Sequence, residues 1–451
     1  MPIKSSFADS ALSLEQQLGQ KLMLDLRYFC HQGSSERCRT ALTELPDTLA
    51  KAISRYDIGG VILFSENTQS IEQIISLNQQ LQQASSASKS GLPLFISIDQ
   101  EGGRVARLPR DVATSFTGNM SMGATYPEHG TYFATQTANV LATELSALGI
   151  NVNYAPTVDV NMNPDNPVIN VRSFSENPDE VAVMGAAQVS EFEKNGIISA
   201  IKHFPGHGDT NVDSHTGLPK VMHSKEIIYA QDLAPFKHII EQHSPGMIMT
   251  AHIQYPELDS STLTNVEGKQ MIKPATMSRK IMTDILRKEL NYQGVVVTDA
   301  LDMAGISHFF SPTQAVVNTF AAGVDIALMP IEIRTPEDIN KLDALIDSLI
   351  SAVKTGQLDA HEIAHSTQRI TSLKSKFKLN ALPNPINALA NAKHIIGNKA
   401  HRELEASLAL AAITQIKNNN NTLPLKLGAD QHIHIIMPDT RKRQPVARGN
   451  G

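Results

Sequence analysis

Eight short apolar runs, with helix-like stretches between them, constrain this chain more than any other feature. They are KLMLDLR from Lys21, IGGVILF from Ile58, PLFISID from Pro93, INVNYAPTVDV from Ile150, ISAIKHF from Ile198, GMIMTAHI from Gly246, GVVVTDAL from Gly294 and GVDIALM from Gly323. Each is brief, nearly continuous and often β-branched. That is the pattern of parallel strands buried on both faces, not of strands with one face in water. Segments such as SIEQIISLNQQLQQA, YFATQTANVLATELSAL and IMTDILRKEL read as the intervening helices. Strand–helix alternation repeated this often predicts an α/β fold, a (β/α)8 TIM-like barrel over residues 1–378. An open doubly wound sheet is the competitor. It is disfavoured because no G-x-G-x-x-G follows an early strand and because polar residues follow many different strands.

The texture changes near Leu382. LPNPINALANA reads as a linker entering a helix, HRELEASLALAAITQIKN as a helix, and HIHIIMPD as a strand before the chain reaches RKRQPVARGNG. One helix and one strand cannot bury a core of their own. Residues 379–451 are therefore expected to be a linker helix and the truncated start of a second α/β domain. A monomer is expected, with that incomplete segment the source of any weak dimer contact. Lys plus Arg number 39 against 45 Asp plus Glu, for a net charge of -6, so nothing points to nucleic acid. No apolar run reaches the ~18 residues of a membrane span. The N-terminus lacks the apolar core of a secretory signal, which predicts a cytoplasmic protein, or a periplasmic one if a leader is missing. Cys30 and Cys38 are too few for a disulfide framework; a local bridge is conceivable, but unpaired thiols are the expectation. Trp is absent, so any sugar would be held mainly by polar groups.

Polar residues gather after the apolar runs, where a barrel has its active face. Asp99 follows the third run, Lys202 and His203 end the fifth, His252 follows the sixth, and Asp299 ends the seventh. The segment KHFPGHGDTNVDSHTGLP, from Lys202 to Pro219, is dense in ionisable groups and glycine. Asp213 and His215 stand two residues apart. A carboxylate bonded to one imidazole nitrogen leaves the other free to exchange a proton and raises the pKa of the pair's histidine, the electrostatics of an acid/base dyad. His207 and Asp209 read as braces of the loop. A metal shell of His203, His207, Asp209 and His215 is the weaker reading, because no H-x-x-x-H lies on an evident helix. Asp299 closes an apolar strand and is either a nucleophile or a helix N-cap. Asp99, Arg172, Lys202 and His203, with Arg107 as a weaker member, offer the mixed donors and acceptors that suit a polyol.

Together, DQEGGRVARL, NPDNPVINVRSFSENP, KHFPGHGDTNVDSHTGLP, MTAHIQYP and VVVTDALDMAGI resemble glycoside hydrolase family 3, in particular its β-N-acetylglucosaminidases of the NagZ type. The resemblance implies Asp299 as nucleophile, His215 as general acid/base and Asp213 as the group that orients it. It implies that Asp99, Arg172, Lys202 and His203 hold a terminal N-acetylglucosamine. The activity implied is retaining hydrolysis of terminal, non-reducing β-linked N-acetylglucosamine, from short chito-oligosaccharides or muropeptide-type substrates, through a glycosyl-aspartate. No cofactor or metal is implied, and the partner is a small carbohydrate. A β-N-acetylglucosaminide phosphorylase and a non-catalytic carbohydrate-binding barrel are the alternatives.

Overall fold

A computed structural model describes residues 12–210, 213–214, 217–379, 385–419, 422–425, 428 and 430. All eight runs contain a strand. These are β1 (Leu22–Asp25), β2 (Gly60–Leu63), β3 (Phe95–Ile98), β4 (Val152–Asn153), β5 (Ile198–Phe204), β6 (Met247–Thr250), β7 (Val295–Val297) and β8 (Ala327–Leu328). They form one eight-stranded sheet in which β1 to β7 follow in chain order and β8 lies beside β1. Every pairing is parallel. The sheet's two ends meet through one parallel bridge, Val297 to Ile326, so the sheet curls into a barrel.

The runs are continuous because both strand faces are buried, each in a different core. Met23, Ile62, Phe95, Ile198, Met247, Met249, Val295 and Val297 point into the lumen. Their neighbours Leu24, Val61, Ile96, Ile201, Ile248 and Val296 face the surrounding helices. The period of two is present but hidden, since both of its phases are apolar. Ile370 and Leu373, on the helix Ala360–Lys376, add to the lumen cluster. Lys374 of that helix donates to the Gly59 carbonyl, just before β2, so the helix lies at the strands' N-terminal ends. The strands' C-terminal ends form the opposite face.

The expected helices form at Ile71–Ser86, Tyr132–Ala147 and Lys280–Glu289, the last with wider, π-type turns. The chain divides into two compact units, Met1–Ala412 and Ile413–Gly451. Helices Pro385–Ile395 and Lys399–Ala411 belong to the first unit. The former packs on Ile71–Ser86 and Tyr132–Ala147. The second helix is shorter than its sequence suggests, because it ends at Ala411 with Ala412 as its C-cap, before the stretch from Ile413 to Asn418. In the second unit the Asn418 side chain bonds both backbone groups of Leu423. The HIHIIMPD run expected as a strand lies outside the described residues.

One expectation is overturned. Cys30 and Cys38 are not free thiols but a disulfide. The loop after β1 folds back on itself: Phe29 N–H donates to Thr40 O, Leu42 N–H to Arg27 O, and Tyr28 bridges Ala41. That hairpin-like return leaves the two Cα atoms 5.8 Å apart, within bonding reach.

At the strands' N-terminal ends a buried ion cluster ties the barrel seam to the outer helices. Asp325 precedes β8. Its Oδ2 accepts from Val296 N–H at 2.8 Å and from Arg287 at 2.5 Å. Its Oδ1 accepts from Arg369 at 2.7 and 3.0 Å. Burial alone would raise this carboxyl's pKa, but Arg287 and Arg369 overcome that and hold it near about 2. The folded value is below the unfolded one, so the contribution is complete above about pH 4 and is lost as pH falls through about 2. Asp325→Ala should cost about 3–5 kcal/mol, because it leaves two guanidinium groups beside an empty site. Urea unfolding at neutral pH measures this, and a loss below about 1 kcal/mol would show the cluster to be dispensable.

Candidate active site

The rim of β3 and the end of β5 supply a chain of alternating charges. Lys202 is buried in β5, and its ammonium sits 2.6 Å from Asp99 Oδ1 and 2.7 Å from Glu101 Oε1. Glu101 also takes both donors of the Arg172 fork, Nη2 at 2.7 Å and Nε at 3.0 Å. Arg172 is carried on the short turn Asn170–Arg172 after β4. Burial would push Glu101 up, but Arg172 and Lys202 overcome it and hold the carboxyl well below the usual range. Burial disfavours the Lys202 charge, yet Asp99 and Glu101 raise its pKa above the ordinary value. Glu101, Lys202 and Arg172 therefore stay charged with few degrees of freedom, which suits the fixed recognition of hydroxyl and amide groups.

Sequence reasoning missed Glu101. Asp99 and Glu101 are two residues apart in SIDQEGG, and a continuing strand would put them on one face. That spacing was the available signal. Arg107 stands farther off, with Nη2 4.0 Å from Asp99 Oδ2, beyond hydrogen-bond range, and its guanidinium 5.7 Å over the Phe64 ring.

Asp159, after β4, organises the next layer. Its Oδ2 accepts from His203 Nδ1 at 2.7 Å, and its Oδ1 from the backbone N–H of His203 at 3.1 Å and of His207 at 2.8 Å. A carboxylate only accepts, so His203 carries its hydrogen on Nδ1 and leaves Nε2 to a ligand. The imidazole of His207 lies between the Thr210 hydroxyl at 2.7 Å and the Ser214 hydroxyl at 3.1 Å. Burial, helped by neighbouring His203, pushes its pKa down to about 4, so it is a neutral brace at physiological pH. Gly208 is required here, because a Cβ would fall 1.6 Å from the Val160 carbonyl oxygen. Among the described residues no group of three or more His, Cys, Asp or Glu side chains is arranged to hold a metal.

His215 lies outside the described residues, as do Asn211, Val212 and Thr216. Asp213 and Ser214 are described. The Asp213 carbonyl accepts from Gly217 N–H at 3.1 Å, and the Ser214 carbonyl from Gly305 N–H at 3.1 Å. Gly305 belongs to the helix Ala304–Ser307, which follows Asp299 after a short turn. Met303 stands at the start of that helix, so Asp299 is not its N-cap. Asp299 Oδ1 instead accepts from the N–H of Ala300 at 2.8 Å. His252 braces this turn: its Nε2 donates to the Ala300 carbonyl at 3.0 Å, and its Nδ1 faces the Thr276 hydroxyl at 2.8 Å. Burial lowers the pKa of His252, which keeps it neutral despite the charge of Asp299.

Of the residues singled out from sequence, Lys202 is joined to Asp99 directly and to Arg172 through Glu101, with Arg107 close by. His203 is next to Lys202 and aligned by Asp159. The Asp213 segment meets the turn beyond Asp299. Glu101→Gln keeps the shape but removes the charge that Lys202 and Arg172 share. It should lower kcat/KM for a glycoside substrate about 10- to 100-fold by misplacing those donors. Steady-state kinetics measures this, and an unchanged kcat/KM would mean that Lys202 and Arg172 are positioned without it.

Residues 13–373 match the Glycosyl hydrolase family 3 N terminal domain. The chain is 58% identical over 445 residues to a protein named Beta-hexosaminidase A from Pseudoalteromonas piscicida, covering 98% of this chain and 73% of that one. A Beta-hexosaminidase from Neisseria meningitidis is 35% identical over 276 residues, 60% of this chain and 71% of its own length. Among solved structures, a glycoside hydrolase family 3 beta-N-acetylglucosaminidase from Paenibacillus sp. superposes with a TM-score of 0.75 at 33% identity, covering 89% of this chain and 69% of that one. The chain therefore belongs to glycosyl hydrolase family 3, and its barrel is that family's N-terminal domain.

Proposed function

We propose that this enzyme is a retaining exo-β-N-acetylglucosaminidase acting on short oligosaccharides with terminal β-linked N-acetylglucosamine. The observation that carries the reading is the tie between the Asp213–Ser214 segment and Gly305, just past Asp299. It links the loop bearing an Asp-Ser-His sequence to the turn bearing a carboxylate at the end of β7. The names of the similar proteins support the substrate class.

In this reading Asp99, Lys202, Arg172 and His203, with Arg107 at the margin, bind the hydroxyl and N-acetyl groups of the terminal sugar. Ionised Asp299 attacks C1 while His215, oriented by Asp213, gives its proton to the leaving oxygen. The neutral imidazole then takes a proton from water, which attacks C1 and frees the sugar from Asp299. A histidine acid has an electrostatic merit here. A second carboxylate beside Asp299 would raise one of the two pKa values by repulsion, whereas an imidazole adds no negative charge. Short chito-oligosaccharides and muropeptide-type compounds both present the required terminus. No helix of the described residues is long and apolar enough to cross a membrane. The Cys30–Cys38 disulfide favours an oxidising compartment, so we prefer the periplasmic setting to the cytoplasmic one.

Asp299→Ala should lower kcat by about four orders of magnitude or more. His215→Ala should slow chitobiose hydrolysis about 100- to 10,000-fold yet retain most turnover of dinitrophenyl N-acetyl-β-glucosaminide, whose leaving group needs little protonation. Equal losses of His215→Ala on the two substrates would contradict the role given to His215.

A further inference from the structure

His223 lies outside every role described so far, yet it stands between two carboxylates. The chain leaves the long loop after β5, and Val221 N–H donates to Gln254 O. Two residues later the His223 side chain, mostly covered, places Nε2 2.6 Å from Asp209 Oδ2 and Nδ1 3.2 Å from Asp232 Oδ2. Carboxylates accept and do not donate, so an imidazole can satisfy both only by donating from both nitrogens, as imidazolium. Asp232 is buried, and its Oδ1 is 3.3 Å from the Tyr255 hydroxyl. That hydroxyl donates to the Gly206 carbonyl at 2.7 Å. Gly206 packs so closely on Asp232 that a Cβ would fall 2.8 Å from its Oδ1. The base of the loop is thus fixed by Tyr255 and Asp232, and its arm is fixed farther out at Asp209. Asp209 lies four residues before Asp213.

We propose that His223 is a positioning residue for the proton-transfer loop: as imidazolium it couples Asp209 to the rigid Asp232–Tyr255 pair and so fixes the arm leading to Asp213. This rests on the reading of Asp213 and His215 given above. Among the described residues, the charged and titratable groups around the ring are Asp209 from the loop, Asp232 from the segment after Ser224, and Tyr255 behind Asp232. The hydrogen bond that His223 donates to Asp232 raises the His223 pKa, although burial opposes it; burial also raises the Asp232 carboxyl, against the lowering effect of His223. The clamp is then intact below the ordinary histidine value and is lost as pH rises through the higher folded value. Loss of the proton leaves one nitrogen lone pair facing a carboxylate.

The test compares two substrates in wild type, His223→Gln, Asp209→Asn and the double variant. Gln keeps one donor nitrogen but carries no charge and cannot bridge two carboxylates from opposite sides as the imidazolium does. Each single variant should lower kcat for chitobiose about ten-fold or more, with dinitrophenyl N-acetyl-β-glucosaminide changed less than two-fold and KM little altered for both. The double variant should be no worse than the single ones, because both break one contact. The alkaline limb of the chitobiose kcat profile should also flatten in His223→Gln. Equal losses on both substrates, additive losses, or a fall in melting temperature with the substrate ratio unchanged would overturn the proposal. A wild type that discriminates between the substrates while the variants discriminate equally well overturns this inference alone. A wild type that hydrolyses neither substrate overturns the functional reading and this inference with it.

Discussion

Strands that are apolar on both faces leave no place for charge except at their ends. Met23 and Leu24 illustrate the constraint: adjacent residues on β1, one filling the lumen and the other facing helices. Eight strands built this way send polar chemistry to the two rims of the barrel. On the N-terminal rim it is structural, where Asp325 links Arg287 and Arg369 across the seam. On the C-terminal rim the chain Asp99–Lys202–Glu101–Arg172 has the same alternation of charge, but it faces loops instead of a packed helix layer. The two clusters differ less in their physics than in what covers them.

Buried charges survive on that rim because each has a partner. Lys202 lies between two carboxylates, and Glu101 lies between a lysine and an arginine. Removing any one member exposes the desolvation cost of the rest, which ties site geometry to local stability. The histidines follow a different rule. His207 and His252 are buried among hydroxyls and carbonyls and are driven neutral, so they serve as braces. His223 meets two carboxylates and is driven toward the charged form. The same side chain is brace or clamp according to its neighbours.

The barrel was legible because its strands are unusually continuous: each of the eight apolar runs contains a strand of the sheet. The ends of those runs located Asp99, Lys202, His203 and Asp299 at one rim, since chain direction fixes which end of a parallel strand is which. What the sequence hid depended on turns. Cys30 and Cys38 are eight residues apart, a spacing that says nothing until the return at Phe29 and Thr40 is known. Glu101 was overshadowed by Asp99, and Asp159 by the apolar run that contains it. The helix candidate running to Asn418 rests on an alternating stripe of small and large apolar residues, whereas the helix itself stops at Ala411.

The central claim is that Asp299 forms a covalent bond to the sugar while the rim network holds it. Mass spectrometry after brief incubation with a fluorinated N-acetyl-β-glucosaminide, which slows the second step more than the first, tests it directly. The account predicts one added sugar per chain, mapped by peptide analysis to the segment containing Asp299, with the label absent from Asp299→Ala. Turnover of the natural sugar without any adduct, or an adduct on another residue, would contradict it.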